Sequence, residues 1–288
     1  MNNSLTISQL KKLNNFHLQK LKTTKNQFEI YSDIFNFFDS TFIFESLSGP
    51  EELAETSIIG FNPSFTVKCN SKKLIICNRN KKIVKILKVK EPLSQLRSIL
   101  PKITLSHNKY RFIGGAVGYI SYEAISFWER LPAPKKKILN FPLFEFGIFT
   151  DGILYDHKQN QPYYFHNGTE SQLEELNKIL NSSTHPFDKN ERKDKNRYLE
   201  LDLNGSDVRC SLPQRNLNKT EFIKMVRKAQ RYIYDGDIFQ VVLSKNFKFN
   251  IEGNLLRVYS AAPAKRRTIV SMKRFQILKN RHLLFYPI

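Results

Sequence analysis

Phe65-Thr-Val-Lys-Cys69, Leu74-Ile-Ile-Cys77 and Ile83-Val-Lys-Ile-Leu87 follow one another with only Asn70-Ser71 and Asn78 to Lys81 as clear turns between them. Each run is short and apolar, and polar turn-forming residues end it. The three runs predict a meander of antiparallel strands. Upstream, Thr41-Phe-Ile-Phe-Glu-Ser46 predicts a strand with a polar end, Gly49-Pro50 a turn, and Glu51 to Glu55 a brief helix. Ser57-Ile-Ile-Gly-Phe61 predicts another strand, stopped by Asn62-Pro63 because proline cannot donate to a ladder.

Downstream, Pro92 to Leu100 predicts a helix with Leu93, Leu96 and Leu100 on one face. Phe112 to Tyr122 is apolar and glycine-rich. Phe144 to Tyr155 alternates like one long strand, paired with Pro162 to His166. Ser171 to Leu180 predicts a second helix, facing inward through Leu173, Leu176 and Leu180. Residues 181–216 turn polar and lose periodicity, the signature of a surface loop or linker. Asn218-Lys-Thr-Glu221 then predicts a capping box. The stripe Phe222, Met225, Val226, Ala229, Tyr232 and Ile233 predicts a helix up to Gly236, where a left-handed stop is allowed. Ile238 to Phe249 predicts a buried strand. Short strands interspersed with a few helices define an α+β fold of antiparallel sheets with packed helices, not a βαβ series.

The chain has 288 residues, 41% of them hydrophobic, enough for a substantial core. Its three cysteines (Cys69, Cys77, Cys210) show no zinc spacing and predict reduced thiols, with Cys69 and Cys77 on neighbouring strands. Neither a signal peptide nor a membrane-spanning run is visible, so a soluble cytoplasmic protein without a membrane partner is expected. Forty-six Lys and Arg against 26 Asp and Glu leave a formal charge of +20. Seven of those basic residues lie in Pro263 to Ile288, which holds no acid. Much of the remainder is Lys beside Asn, scattered over turns without a recognition module, so no nucleic-acid partner is expected.

Gly114-Gly-Ala-Val-Gly118 fits neither a Walker loop nor a dinucleotide fingerprint, and reads as glycines that permit close strand contact. The six histidines show no metal spacing, and no nucleophile elbow is present. Two places carry chemistry. Glu45-Ser46 ends an apolar strand, where a carboxylate and a hydroxyl suit the ammonium of a small ligand, or cap the Gly49 turn. Gln240 sits within Phe239 and Val241-Val-Leu243. A buried amide there needs partners, either from neighbouring backbone or from a substrate, since leaving it unpaired costs about 1–3 kcal/mol.

Taken together, Phe44-Glu-Ser46, Gly49 to Pro63, Gly114 to Tyr119, Phe144-Glu-Phe-Gly-Ile148 and Gly236 to Ser244 resemble, in order and spacing, the large subunits of anthranilate synthase, a family of chorismate-using enzymes. The resemblance covers roughly residues 40–260. It implies an N-terminal domain over 1–180, a linker over 181–217, the start of a chorismate-binding domain over 218–261, and a divergent basic tail over 262–288. It further implies magnesium as cofactor, ammonia supplied by a glutamine amidotransferase subunit (anthranilate synthase component II), and anthranilate and pyruvate as products, the first committed step of tryptophan biosynthesis. L-tryptophan is the implied feedback inhibitor, and Glu45 and Ser46 match the family's tryptophan-site motif.

Gln240 stands where water-using relatives place a lysine base. A neutral amide cannot serve as that base at neutral pH, so an ammonia-using member is implied. The aminodeoxychorismate synthase branch remains the alternative. The resemblance stops after Tyr259-Ser-Ala261, before the family's Asn-Pro-Ser-Pro-Tyr segment, its magnesium carboxylates and its catalytic histidine. A frameshift near residue 261 and an inactive fragment, or a non-catalytic tryptophan-binding remnant, are therefore expected. No catalytic or metal-ligating residue is assigned in the chain.

Overall fold

The computed structural model describes residues 7, 16–45, 55–70, 73–100, 110, 112–130, 142–168, 171–182, 209–252, 256, 259, 271–272 and 282–285. The elements in order are β1 (Phe16–Lys20), α1 (Gln27–Phe37), β2 (Thr41–Phe44), β3 (Thr56–Phe61), β4 (Phe65–Asn70), β5 (Lys73–Asn78) and β6 (Ile83–Lys88). Then come α2 (Pro92–Ile99), β7 (Gly115–Ile120), a 3₁₀ turn (Tyr122–Phe127), β8 (Phe144–Phe149), β9 (Asp151–Asp156), β10 (Gln161–Asn167) and α3 (Leu173–Ser182). β11 (Arg209–Cys210), β12 (Gln214–Arg215), α4 (Lys219–Tyr234), β13 (Phe247–Glu252), β14 (Ser271–Met272) and β15 (His282–Phe285) complete the chain. They belong to two compact units, Met1–Lys193 with Pro263–Arg274, and Asp194–Ala262 with Phe275–Ile288. None of the described helices is long and apolar enough to cross a membrane.

The first unit holds two sheets, in the orders β1-β10-β9-β3-β2-β14 and β6-β5-β4-β8-β7. Every pairing in them is antiparallel. The meander is β4, β5 and β6, and the register Thr66↔Cys77 and Cys69↔Leu74 puts the two cysteines on neighbouring strands. Both are free thiols. Phe65, Val67, Leu74, Ile76, Phe144 and Ile148 fill one face of this sheet, and α2 covers it through Leu96 and Ile99. The other sheet carries α1, which packs on β2, β3 and α3.

The single strand expected over Phe144 to Tyr155 is two strands, because the chain changes sheets at Thr150. The β3-to-β4 connection crosses between the same sheets at Asn62-Pro63-Ser64, and the two crossings lie side by side. Ser64 N–H donates to the Ile148 carbonyl at 2.9 Å, and the Ser64 and Thr150 hydroxyls are 2.7 Å apart. Alternation of side chains continues through such a crossing, so it leaves no break in the sequence pattern. Gly118 behaves as expected of a close-contact glycine: a Cβ there would stand 2.0 Å from the Glu145 carbonyl oxygen on the paired strand.

Near the N-terminus two elements appear that are not among those predicted from the sequence. α1 opens with its own capping box, Asn26 with Glu29, and β1 pairs with β10 at the sheet edge. The brief helix expected over Glu51 to Glu55 lies largely outside the described residues.

In the second unit β13 is central, flanked by β11 and β12 and paired also with β15. The expected linker over 181–217 is corrected in part. Ser182 still belongs to α3, and β11 and β12 are strands, because β13 gives their backbone groups a ladder. α4 begins at the predicted box, with Asn218 Oδ1 accepting from Glu221 N–H at 2.9 Å. It ends at Asp235, before Gly236 at φ +79°. The strand expected over Ile238 to Phe249 is also corrected. Residues 238–246 form no ladder with any described strand, and the strand starts at Phe247. The amides of Asp237 and Ile238 instead turn back to the Tyr232 carbonyl.

Candidate functional site

Register places the first polar group. Phe44 faces Ile58, so the next step along the ladder brings Glu45 beside Ser57, itself opposite Tyr155. Side chains alternate along strands, so Glu45, Ser57, Tyr155 and, two residues on, His157 share the sheet face that α1 covers. The first helical residue of α1, Gln27, donates from Nε2 to Glu45 Oε1 at 3.3 Å. Glu45 is 5% exposed. Its carboxylate is an acceptor only, suited to an ammonium or another N–H donor.

His157 Nε2 stands 2.8 Å from Ser57 Oγ. Burial pushes the imidazole pKa down, and the carboxylates of Glu45 and Asp156 oppose that shift. Ser57 is fully buried, so the pair is closed to a substrate and cannot act as a nucleophile and base. At the rim, Lys158 Nζ and Glu55 Oε1 are 2.7 Å apart. Asp156 points to the opposite face, where the Tyr110 hydroxyl donates to it at 3.1 Å. Ser46, the other half of the expected effector motif, lies outside the described residues.

A second buried polar cluster fills the crossing between the sheets. Asp151 is fully buried, and its Oδ2 accepts from the Tyr164 hydroxyl at 3.0 Å and from Gln172 Nε2 at 2.5 Å. Arg79, from the β5–β6 turn, approaches Oδ1 at 3.7 Å and donates to Ser64 Oγ at 3.2 Å. Asn62 Nδ2 donates to Gln172 Oε1 at 2.6 Å. Burial raises the Asp151 pKa, against the lowering influence of Arg79, Gln172 and Tyr164. This cluster joins the two sheets of the first unit. The sequence held one signal for it, an acid (Asp151) in the middle of the strand-like run Phe144 to Tyr155.

Gln240 is exposed in the second unit, as are Phe239 (98%) and Val242 (78%). The expected burial of its amide among apolar neighbours is therefore not met in this structure, since no described strand pairs with the segment. Glu45 and Gln240 belong to different units. Among the described residues no three His, Cys, Asp or Glu side chains form a group that could hold a metal ion. Magnesium, the cofactor the resemblance implies, consequently has no ligand set assigned here.

Comparison with known proteins adds an independent line. The profile of the chorismate binding enzymes matches residues 39–278. Anthranilate synthase component 1 of Acetivibrio thermocellus is 30% identical over 251 residues, covering 81% of this chain and 50% of that protein. The component 1 of Methanothermobacter thermautotrophicus is 29% identical over 238 residues, covering 82% of this chain and 45% of the relative. The crystal structure of anthranilate synthase component I from Streptococcus pneumoniae superposes with a TM-score of 0.53 at 27% identity, over 74% of this chain and 45% of that one. The chain thus spans about half the length of the curated relatives it matches.

Proposed function

Since the chain belongs to the chorismate binding enzyme family, we propose that it is part of an anthranilate-forming large subunit, converting chorismate and ammonia to anthranilate and pyruvate. The observation that carries this reading is the similarity to proteins called anthranilate synthase component 1 over four fifths of the chain. Gln240 supports the choice of nucleophile. Its neutral amide has no basic lone pair with which to deprotonate water at neutral pH, which suits ammonia, already a nucleophile. In this proposal a glutamine amidotransferase subunit supplies the ammonia, magnesium accompanies chorismate, and L-tryptophan acts as feedback inhibitor at the end of β2. The buried Glu45 carboxylate supports the last point, because a fixed acceptor at a strand end is a natural anchor for an α-ammonium group.

The test is genetic rescue in two bacterial strains, one lacking anthranilate synthase component 1 and one lacking aminodeoxychorismate synthase component 1. The gene is supplied with its own downstream sequence. Rescue of tryptophan-independent growth supports the proposal. Rescue only of the p-aminobenzoate requirement moves the protein to the aminodeoxychorismate branch, and rescue of neither removes the enzymatic reading for the encoded polypeptide. Calorimetric titration of the purified chain with L-tryptophan tests the effector site separately.

A further inference from the structure

The edge of the six-stranded sheet carries a second chemistry. β1 and β10 pair so that His17 lies directly opposite His166. The two imidazole rings stack, with centroids 4.8 Å apart and planes 17° from parallel. Behind them the Tyr164 ring stacks on His166 with centroids 5.9 Å apart, closing the inner side. His17 is exposed on the outermost strand, so the pair opens to solvent on one side only. Nδ1 of His166 is shielded from solvent, and the Gly168 backbone lies within hydrogen-bonding reach of the ring.

We propose that His17 and His166 form a two-imidazole chelate for a late first-row divalent ion, Cu2+, Ni2+ or Zn2+. Neutral imidazole nitrogens are preferred ligands for these ions, at about 2.0–2.1 Å for zinc. Directly opposed residues of an antiparallel pair have Cβ atoms about 4.5–5.5 Å apart. Two rings hung from that spacing can each turn one nitrogen toward a shared ion through side-chain rotation alone, with the backbone already fixed by the β1–β10 ladder. Magnesium, which takes oxygen ligands, does not fit this pair. Among the described residues no third His, Cys, Asp or Glu joins the group, so water or an external ligand completes the coordination. An ion held there would tie the edge strand β1 to β10. The inference does not depend on the proposed reaction.

The experiment is calorimetric titration of the purified full chain with Cu2+, Ni2+ and Zn2+ as the simple salts. The expected result is one saturable site per chain, tightest for Cu2+. A chelate gains through effective concentration, so His17→Gln and His166→Gln should each weaken binding by about 100-fold. The double variant should bind at least as weakly as either single one, because it lacks the remaining imidazole as well. His17 is exposed on an edge strand, so His17→Gln tests the site even if the His166 variant folds poorly. Binding unchanged in His17→Gln, no saturable site in the wild type, or loss of binding only when cysteines are replaced would each overturn the proposal.

Discussion

Asp151 offers the sharpest test of the buried cluster between the sheets. Replacing it with leucine fills similar space but removes the acceptor of two hydrogen bonds, from the Tyr164 hydroxyl at 3.0 Å and Gln172 Nε2 at 2.5 Å. Each buried donor left without a partner costs about 1–3 kcal/mol. Arg79 loses its counter-charge as well, but it is partly exposed and can turn to water, so its contribution is discounted. Asp151→Leu should therefore destabilise the first unit by about 4 kcal/mol.

Asp151→Asn is different. Its carbonyl oxygen can take the place of Oδ2 and keep both acceptor bonds, so its cost at neutral pH should stay near 1 kcal/mol. The comparison also has a pH signature. Burial raises the Asp151 pKa above 3.8 in the folded chain, so the folded state binds this proton more tightly than the unfolded state. The resulting stability is fully present below pH 3.8 and is lost as pH rises through the raised folded value. Wild type should accordingly lose ground against Asp151→Asn as pH rises across that window. Urea unfolding followed by far-UV circular dichroism, at several pH values, measures all three proteins. Equal stability of the Leu and Asn variants, or a gap between wild type and Asn that shrinks as pH falls, would refute the reasoning.

Further tests address other parts of the chain. Gly118→Ala places a Cβ 2.0 Å from the Glu145 carbonyl oxygen, and backbone cannot give way as a side chain can, so a loss of about 2–3 kcal/mol is expected in the same urea assay. Lys25→Met strips the partner from Asp33, whose side chain is 3% exposed and 2.8 Å from Lys25 Nζ; about 3–5 kcal/mol should be lost, while the double change Lys25→Met with Asp33→Leu recovers part of it. Phe239→Ser should alter stability by less than about 0.5 kcal/mol, since the ring is 98% exposed; a loss of about 3 kcal/mol or more would show a buried position instead. His157→Gln should flatten the acid side of the stability profile. Burial lowers the His157 pKa from 6.5, so its stabilising share is present above pH 6.5 and is lost as pH falls through the depressed folded value.

Much of the first unit was legible because its elements are local. The meander, the α2 stripe, and the glycine that lets β7 approach β8 each follow from a handful of adjacent residues. α1 and β1 were missed for opposite reasons. α1 carries a valid capping box, Asn26 with Glu29, and its apolar residues Ile30, Tyr31, Ile34 and Phe38 recur at helical spacing, so its signal was present and passed over. β1 is an edge strand whose side chains are half-buried or exposed, so burial imposed little alternation on it. The change of sheet at Thr150 was invisible in principle, since pairing partners are long-range facts and the alternation runs straight through.

The candidate sites divide along the same line. Glu45 could be located by its strand-end position, yet its partner Gln27 and the neighbouring Ser57–His157 pair come from α1, β3 and the turn after β9. Only the ladder register brings these together. Gln240 shows the converse limit. An apolar run specifies that a segment prefers burial, but a strand also needs neighbours whose N–H and C=O groups complete a ladder. Phe239 and Val242 therefore point to solvent in this structure despite their composition. Any role for the Gln240 amide must then depend on groups that pair with residues 238–246, so supplying such a neighbour should protect those backbone amides from hydrogen exchange before it affects β13, whose amides already have partners.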